Sequence, residues 1–192
     1  EEGYTVRVLV GGTPGMEVPR RYAEAGIDFV CLPMLGRAVN PLRDLQAAMA
    51  IRKEMKRFKP DLFSLHASKA GAVGRIASLG IKCPVLYTPP CWSFVDGFSK
   101  GSLYRLIEKL LAPAATQIIT VSEDERMFGL SAGVGKAETT LTIHNGVKDR
   151  YANNARPVTL ETPPSLVMVG RFEEQKDQYL LITALSQLRD LD

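Results

Sequence analysis

The stretch Leu62-Phe-Ser-Leu-His-Ala-Ser-Lys-Ala-Gly-Ala-Val-Gly-Arg75 decides the fold of this 192-residue chain. It begins with a short apolar run, passes through a polar turn and continues into a segment with helical spacing. A short apolar run bounded by turn residues is typical of a buried strand. The stretch therefore predicts a strand at 62–65 followed by a helix at 69–79.

The same alternation continues in both directions along the chain. The predicted strands lie at 5–10, 28–32, 62–65, 84–88, 117–121 and 140–144. The predicted helices lie at 18–25, 41–58, 69–79, 102–111 and 123–132. Short apolar strands separated by helices indicate βαβ units and a parallel sheet covered on both faces. We therefore predict an α/β fold with a doubly wound, Rossmann-like parallel sheet.

Two of these helices have apolar faces, and a third has a clear start. On the helix at 41–58, the spacing predicts a buried face made by Leu42, Leu45, Met49 and Met55. On the helix at 102–111, apolar residues at 103, 106, 107, 110 and 111 predict ordinary core packing. Ser122 and Glu125 form a capping box, which predicts that the next helix begins at 123.

Composition and charge exclude several classes of protein. The chain is 45% hydrophobic and 23% charged, as is usual for a globular domain. Its net charge is only +3 and its basic residues are scattered among 21 acids, so we predict no nucleic-acid partner. Cys31, Cys83 and Cys91 lack metal-ligand spacing and are interpreted as reduced thiols. With no apolar run of membrane-spanning length and no signal peptide, we predict a cytoplasmic protein without a metal.

Two enzyme classes are excluded by spacing. The glycines at 11, 12 and 15 do not match the G-x-G-x-x-G spacing of a nicotinamide-dinucleotide site. Residues 97–101 match the G-x-S-x-G pattern of serine hydrolases. However, the preceding predicted strand ends near residue 88, which is too early for a strand-turn-helix elbow.

The last part of the chain departs from the alternation. Residues 145–164 are rich in Asn, Pro and Thr, and an apolar run at 165–169 follows them. We predict an N-terminal domain at 1–146, an interdomain linker at 147–164, and at 165–192 the first strand and helix of a second Rossmann-like domain. Gly3 directly before the first strand is typical of a helix end, so we expect a strand and helix before residue 1. The chain is therefore expected to be truncated at both ends.

Candidate binding residues follow predicted strands, because ligands of parallel sheets gather at the carboxyl ends of the strands. Gly170, Arg171 and Lys176 place a glycine turn and two cations before a helix N-terminus, an arrangement suited to a diphosphate. His66, Ser68 and Lys69 place an imidazole, a hydroxyl and an ammonium at the start of another helix. Small residues at 71, 72 and 74 are expected to allow close backbone approach there.

Plainer interpretations of these side chains stay open. His66 is equally well explained as a structural histidine, and Ser68 is better explained as the N-cap of its helix. The aromatic residues Trp92, Phe94 and Phe98 form either an acceptor platform or the packing of a long loop against the sheet.

Five motifs occur in order at the predicted strand ends and at the linker. They are HASKAGAVGR at 66–75, YTPPCW at 87–92, VSE at 121–123, NGV at 145–147 and VGRFEEQK at 169–176. Together they resemble the GT-B fold glycosyltransferases of the "glycosyl transferases group 1" type, which have two Rossmann-like domains. One position departs from the pattern: Pro90 stands where the family usually has a histidine that often lines the acceptor site.

The resemblance implies a function. It implies retaining, hexosyltransferase-like transfer from a nucleotide-diphosphate sugar to a glycan or lipid-linked acceptor, in lipopolysaccharide or polysaccharide synthesis. Gly170, Arg171 and Lys176 would bind the donor diphosphate without any metal or cofactor, and His66, Ser68 and Lys69 would face the cleft from the first domain. No catalytic residue is assigned. The family's glycine-rich first loop and paired glutamates would lie outside residues 1–192, so we expect no transfer by this chain alone.

Two further expectations concern partners and surroundings. Lys100, Arg105 and Lys109 are candidates for peripheral contact with the cytoplasmic face of the inner membrane. An apolar strand at 165–169 without neighbours is expected to dock on the first domain or to pair between chains, that is, to cause self-association. The alternatives are a non-catalytic nucleotide- or sugar-binding remnant, or a fragment of a GT-B sugar-nucleotide epimerase.

Overall fold

The computed structural model describes residues 3–36, 38–94, 101–147, 165–172 and 176–188. The chain divides into two compact units, Glu1–Gly146 and Val147–Asp192. No helix within the described ranges is long and apolar enough to cross a membrane.

The first unit alternates strands and helices, as predicted. Its strands are β1 (Val8–Gly11), β2 (Phe29–Leu32), β3 (Phe63–His66), β4 (Val85–Thr88), β5 (Gln117–Thr120) and β6 (Thr140–Thr142). Its helices are α1 (Glu17–Glu24), α2 (Pro41–Phe58), α3 (Ser68–Ser78), α4 (Gly101–Leu111) and α5 (Glu123–Ser131). The bounds of α2 coincide with the prediction because Asn40 caps its first turn and Pro41 occupies its first position.

The strands form parallel ladders, which confirms the predicted fold class. β1 pairs with β2, and β3, β4, β5 and β6 pair in that order. Parallel neighbours require a crossover, and α3, α4 and α5 connect successive strands of the larger sheet. The carboxyl ends of its four strands therefore lie along one edge.

The buried face of α2 differs from the predicted one. Met55 is buried as expected, but Leu42, Leu45 and Met49 are exposed. The face that packs into the core consists of Ala47, Ala48, Ile51 and Met55. Ala47 and Ala48 let α3 approach α2 closely, whereas larger side chains at these two positions would hold the two helices apart.

Helix α4 also turns a different face inward from the one predicted. Leu103, Leu106 and Leu110 are exposed, and the buried residue of the helix is Glu108. The physical reason is a charge in the core: the buried guanidinium of Arg75 on α3 requires an anionic partner, and Glu108 supplies it.

The small residues of α3 pack against the sheet. A Cβ atom on Gly71 would lie 2.1 Å from Cε2 of Tyr87, and one on Gly74 would lie 2.2 Å from Cδ2 of Leu65. The close approach expected at these positions is therefore made to β3 and β4.

The second unit contains helix α6 (Gln178–Leu188) but lacks the predicted strand. Residues 165–170 are described without strand structure. An isolated strand has no source of backbone pairing, which explains the difference. Val167 and Val169 are 85% and 92% exposed. Pairing between two chains stays a prediction.

Candidate functional site

The turn between β3 and α3 has a strained backbone. Ala67 has φ 71° and ψ 152°, a region that is essentially reserved for glycine. Such a conformation costs about 1–3 kcal/mol and persists only where the surrounding structure enforces it, most often at functional sites. The strain therefore marks His66, Ala67 and Ser68 as candidate functional residues, and they lie at the edge where ligands of parallel sheets bind.

His66 is exposed at the end of β3. Its Nε2 lies 3.0 Å from the Ser64 hydroxyl on the same strand. The described contacts of the ring are thus polar and local, and the imidazole is accessible at the carboxyl edge. Both interpretations of His66, structural and ligand-binding, agree with this placement.

Ser68 is the first residue of α3, so its interpretation as the N-cap is wrong. Ala67 occupies the cap position and makes no side-chain cap bond. Ser68 instead interacts with the hydroxyl of the buried Tyr87. Burial raises the pKa of Tyr87 most, the Glu108 carboxylate raises it further, and the bond to Ser68 acts in the opposite direction.

Lys69 is engaged with neighbouring elements. Its Nζ lies 2.7 Å from Oδ1 of Asp44 on α2 and also donates a hydrogen bond to the carbonyl of Ala38. The side chains of Lys69 and Asp44 are only 20% and 19% exposed. The ammonium predicted to face the cleft therefore binds α2 and the loop that follows β2.

A buried ion pair below this edge was not found from the sequence. Arg75 and Glu108 are 0% and 3% exposed, and Nη2 of Arg75 lies 2.7 Å from Oε2 of Glu108. Tyr87 donates a hydrogen bond of 3.0 Å to Oε1 of Glu108, and Cζ of Arg75 lies 3.9 Å from the centre of the Tyr87 ring. The available signal was a lone acid in a helix otherwise made of apolar, polar and basic residues.

The loop after β4 packs inward, which decides between the two interpretations of its aromatic residues. Trp92 and Phe94 are buried, and Nε1 of Trp92 donates a hydrogen bond of 2.7 Å to the carbonyl of Glu125. Trp92 stacks on Phe94, which stacks on Phe128. These two residues are therefore packing residues, and Phe98 lies outside the described residues.

The carboxylate of Glu125 completes this contact. Burial raises the pKa of the Glu125 carboxyl, and a hydrogen bond from the Trp92 backbone lowers it in part. Glu125 thus contacts Trp92 through both its carbonyl and its side chain. The loop after β4 is held to α5 by this residue.

The start of α5 confirms the Ser122 half of the predicted capping box, whereas the Glu125 carboxylate bonds to the Trp92 backbone. The Ser122 hydroxyl accepts a hydrogen bond of 3.1 Å from the Glu125 backbone. Next to it, Glu123 accepts hydrogen bonds from the Thr142 hydroxyl at 2.7 Å and from Arg126 at 2.8 Å. The bond from Thr142 contributes most to lowering the pKa of Glu123, followed by that from Arg126. This acid therefore joins α5 to the end of β6.

The predicted diphosphate-binding residues are exposed on a local loop before α6. Gly170, Arg171 and Lys176 are all exposed. Nε2 of Gln178 donates a hydrogen bond of 2.7 Å to the carbonyl of Arg171, and the Asp177 carboxylate accepts one of 3.0 Å from the backbone of Leu180. The loop therefore returns to the helix start, and Asp177 caps it. Diphosphate binding by these residues stays a prediction.

The remaining chemistry of the described residues concerns metal ligands and the pKa of thiols. Within the described ranges, no group of three or more His, Cys, Asp or Glu side chains could hold a metal ion. Cys31, Cys83 and Cys91 are free thiols. Burial raises the pKa of Cys83 most, and the nearby Asp61 raises it further.

Known proteins resemble parts of this chain. It is 26% identical over 109 residues to the Escherichia coli UDP-Gal:alpha-D-GlcNAc-diphosphoundecaprenol alpha-1,3-galactosyltransferase, an alignment that covers 55% of the chain and 28% of that enzyme. The chain therefore spans well under two thirds of the length of this relative.

Two solved structures share the fold. A glycosyltransferase from Rickettsia africae matches 97% of the chain and 50% of its own length, with a TM-score of 0.65 and 20% identity. Anabaena Alr3699/HepE, solved with UDP and glucose, matches 72% of the chain and 37% of its own length, with a TM-score of 0.56 and 24% identity. These likenesses show the GT-B fold, in agreement with the parallel ladders. The model of the "Glycosyl transferase 4-like domain" matches residues 1–146, and the chain therefore belongs to this glycosyltransferase family.

Proposed function

We propose that the protein transfers a hexosyl group from a nucleotide-diphosphate sugar to a lipid-linked glycan acceptor. The observation that carries the proposal is the strained turn at Ala67, which presents His66 and Ser68 at the carboxyl edge of a sheet in a glycosyltransferase family. The name of the Escherichia coli relative supports a UDP-sugar donor and a diphosphate-linked lipid acceptor.

On the donor side, Arg171 and Lys176 are the proposed binding residues, with Gly170 allowing the diphosphate to approach the backbone. Two cations beside the N-terminus of α6 would offset the charge that develops on the leaving diphosphate, so no metal is needed for that step. We further propose retention of the anomeric configuration and a role in lipopolysaccharide or polysaccharide synthesis.

On the acceptor side, His66 and Ser68 are the proposed contacts. Pro90 can neither donate a hydrogen bond nor carry a proton, so any proton transfer must use another group. The exposed imidazole of His66 is the side chain with suitable chemistry among the three candidates on this edge.

Helix α4 is the proposed contact with the membrane. Leu103, Leu106 and Leu110 lie three and four residues apart and are exposed, which makes one apolar face. Arg105 and Lys109 are exposed on the same helix, and its acid, Glu108, is buried. An apolar face beside cations suits the interface of an anionic bilayer. We therefore propose a cytoplasmic protein bound peripherally to the inner membrane.

A transfer assay tests the catalytic part of the proposal. The protein expressed from its full coding sequence is incubated with UDP-hexoses and a polyisoprenyl-diphosphate-linked N-acetylglucosamine. We expect a lipid-extractable product with the same anomeric configuration as the donor, as measured by NMR. A product of inverted configuration would contradict retention. Binding of UDP without any transfer would favour the non-catalytic interpretation.

Vesicle binding tests the membrane part. The double variant Arg105→Gln/Lys109→Gln should bind anionic vesicles roughly thirtyfold more weakly, at about 1 kcal/mol for each of the two cations near the surface. The variant Leu106→Ser should weaken binding at all salt concentrations because it removes buried apolar area. Leu42→Ser, an exposed leucine on α2, is the control. Wild-type binding that is absent, or that salt does not reduce, would contradict the proposal.

A further inference from the structure

We propose that Lys69 is a positioning residue, which holds the loop after β2 against the first turn of α3 and does not itself contact a substrate. The inference concerns the acceptor edge of the proposed function. Its test does not depend on that function, because it can be read from the loop alone.

The first argument is that the ammonium of Lys69 is already occupied. The ammonium donates a hydrogen bond to the carbonyl of Ala38 and forms an ion pair with the Asp44 carboxylate, in which Nζ lies 2.7 Å from Oδ1. One of its three donors is therefore used on Ala38, and its charge is paired with Asp44. Both charged side chains are about four-fifths buried. A phosphate could recruit Lys69 only by leaving the Asp44 carboxylate buried without its partner, which is unfavourable.

The second argument is that Asp44 extends the contact to the start of α2. Its Oδ2 accepts a hydrogen bond of 3.1 Å from the Asn40 backbone, and Oδ1 of Asn40 accepts one of 3.0 Å from the Arg43 backbone. Lys69 therefore joins three segments at one point: the loop after β2, the first turn of α2 and the first turn of α3.

The third argument comes from the opposite ends of the same two helices. Nη1 of Arg52 donates to the carbonyls of Ala77 at 2.9 Å and Leu79 at 2.6 Å, where α3 ends. Two basic side chains thus fasten α2 to α3, one at each end. β1 and β2 form a ladder separate from β3 to β6, so contacts between these helices connect the two ladders. Of these two contacts between α2 and α3, the one made by Lys69 lies at the edge where Ala67 is strained.

Hydrogen exchange of the loop provides the test. The amides of Leu35 and Gly36 bond to the carbonyls of Leu32 and Met34 within the loop, so their exchange reports whether the loop opens. The Asn40 amide is unsuitable because Asp44 is its direct acceptor.

Four proteins are compared: the wild type, Lys69→Met, Asp44→Asn and the double variant. We expect each single variant to speed exchange at the two amides about tenfold, the value of one charge-assisted hydrogen bond. The double variant should exchange about as fast as Lys69→Met, because Asp44→Asn acts on the loop through Lys69. Lys53→Met, an exposed lysine on α2, is the control and should leave the loop unchanged.

Three results would overturn the proposal: unchanged exchange in Lys69→Met, unchanged exchange in Asp44→Asn, or additive acceleration in the double variant. If Lys69→Met does not fold, Lys69→Gln replaces it, since the shorter neutral amide also removes the ion pair with Asp44.

Titration with inorganic pyrophosphate provides a second, independent reading. A positioning role predicts the same change in affinity for Lys69→Met and Asp44→Asn. A direct ligand predicts a loss in Lys69→Met only, with unchanged or tighter binding in Asp44→Asn, and that result would overturn the proposal. If the wild type binds no pyrophosphate, the exchange result alone decides about Lys69, and diphosphate binding by the chain is refuted separately.

Discussion

Removal of the Glu108 carboxylate should destabilise the first unit strongly. In Glu108→Ala, the guanidinium of Arg75 would stay fully buried without its anionic partner, and the Tyr87 hydroxyl would lose its acceptor. Nη1 of Arg75 already has no hydrogen-bond partner among the described residues, so the remaining polar contacts could not compensate. Breaking one partner of a buried ion pair costs about 3–5 kcal/mol.

That cost is large beside the total stability of a domain, which is about 5–15 kcal/mol. For a chain of this size, each kcal/mol shifts the melting temperature by about 2–4 °C, so Glu108→Ala should melt roughly 10 °C lower. Urea denaturation followed by the fluorescence of Trp92, the single tryptophan of the chain, measures the free energy of unfolding. Glu138→Ala, at an exposed glutamate, is the control and should change it by less than about 0.5 kcal/mol.

The double variant Arg75→Met/Glu108→Leu distinguishes the effect of the buried charges on stability from the effect of side-chain packing. It removes both charges and retains apolar volume, and such replacements are often neutral or stabilising. We expect it to be more stable than Glu108→Ala. The reasoning would be refuted if Glu108→Ala lost less than about 1 kcal/mol, or if the double variant were the less stable of the two.

Three further predictions concern single positions. Gly71→Ala should lower the free energy of unfolding by about 1–3 kcal/mol, as measured by urea denaturation, because the new Cβ would lie 2.1 Å from the Tyr87 ring. Alanine is the better helix former, so a stabilised variant would contradict this account of the packing. Ala67→Gly should raise the free energy of unfolding by about 1 kcal/mol, because glycine adopts a positive φ without strain. A clear loss of stability would show that the turn is unstrained. Burial raises the pKa of the Glu125 carboxyl above its ordinary 4.5, so the wild type should lose stability as pH rises from 4.5 through the folded value. Glu125→Gln should lack this loss, and parallel pH profiles of the two proteins would contradict it.

Local signals in the sequence were sufficient for most element bounds. Helix α2 begins where Asn40 and Pro41 supply a cap and a fixed φ, and α5 begins after the cap at Ser122. The parallel arrangement also followed from the pattern, since short apolar strands separated by helices leave few other topologies. These features depend on residues close together in the chain.

The wrong predictions about buried faces and about the strand at 165–169 depended on contacts between distant residues. The buried face of α2 is set by how closely α3 approaches, which favours Ala47 and Ala48 over the larger Leu45. The buried face of α4 is set by Arg75, 33 residues before Glu108. The missing strand at 165–169 requires neighbours that hydropathy does not reveal.

The candidate site shows the same division between local and distant causes. Its position at the ends of parallel strands followed from the fold class, and His66 does lie exposed there. The partner of Lys69 could not be predicted, because Asp44 lies 25 residues earlier on another helix. Charge and motif placed Lys69 on the correct edge but did not reveal what it binds.

The strain at Ala67 and the contacts of α3 explain each other. A backbone conformation that costs about 1–3 kcal/mol survives only when both flanking segments are fixed independently. On one side, β3 is fixed by its ladder with β4. On the other side, the ion pair between Lys69 and Asp44 fixes the first turn of α3. Arg75 fixes the next turn: its Nε donates a hydrogen bond of 3.0 Å to the carbonyl of Gly71, and its guanidinium lies over the Tyr87 ring. Ser68 lies between these supports and bonds to the Tyr87 hydroxyl, so its side chain is fixed in place, which is the preorganisation that the proposed acceptor contact needs.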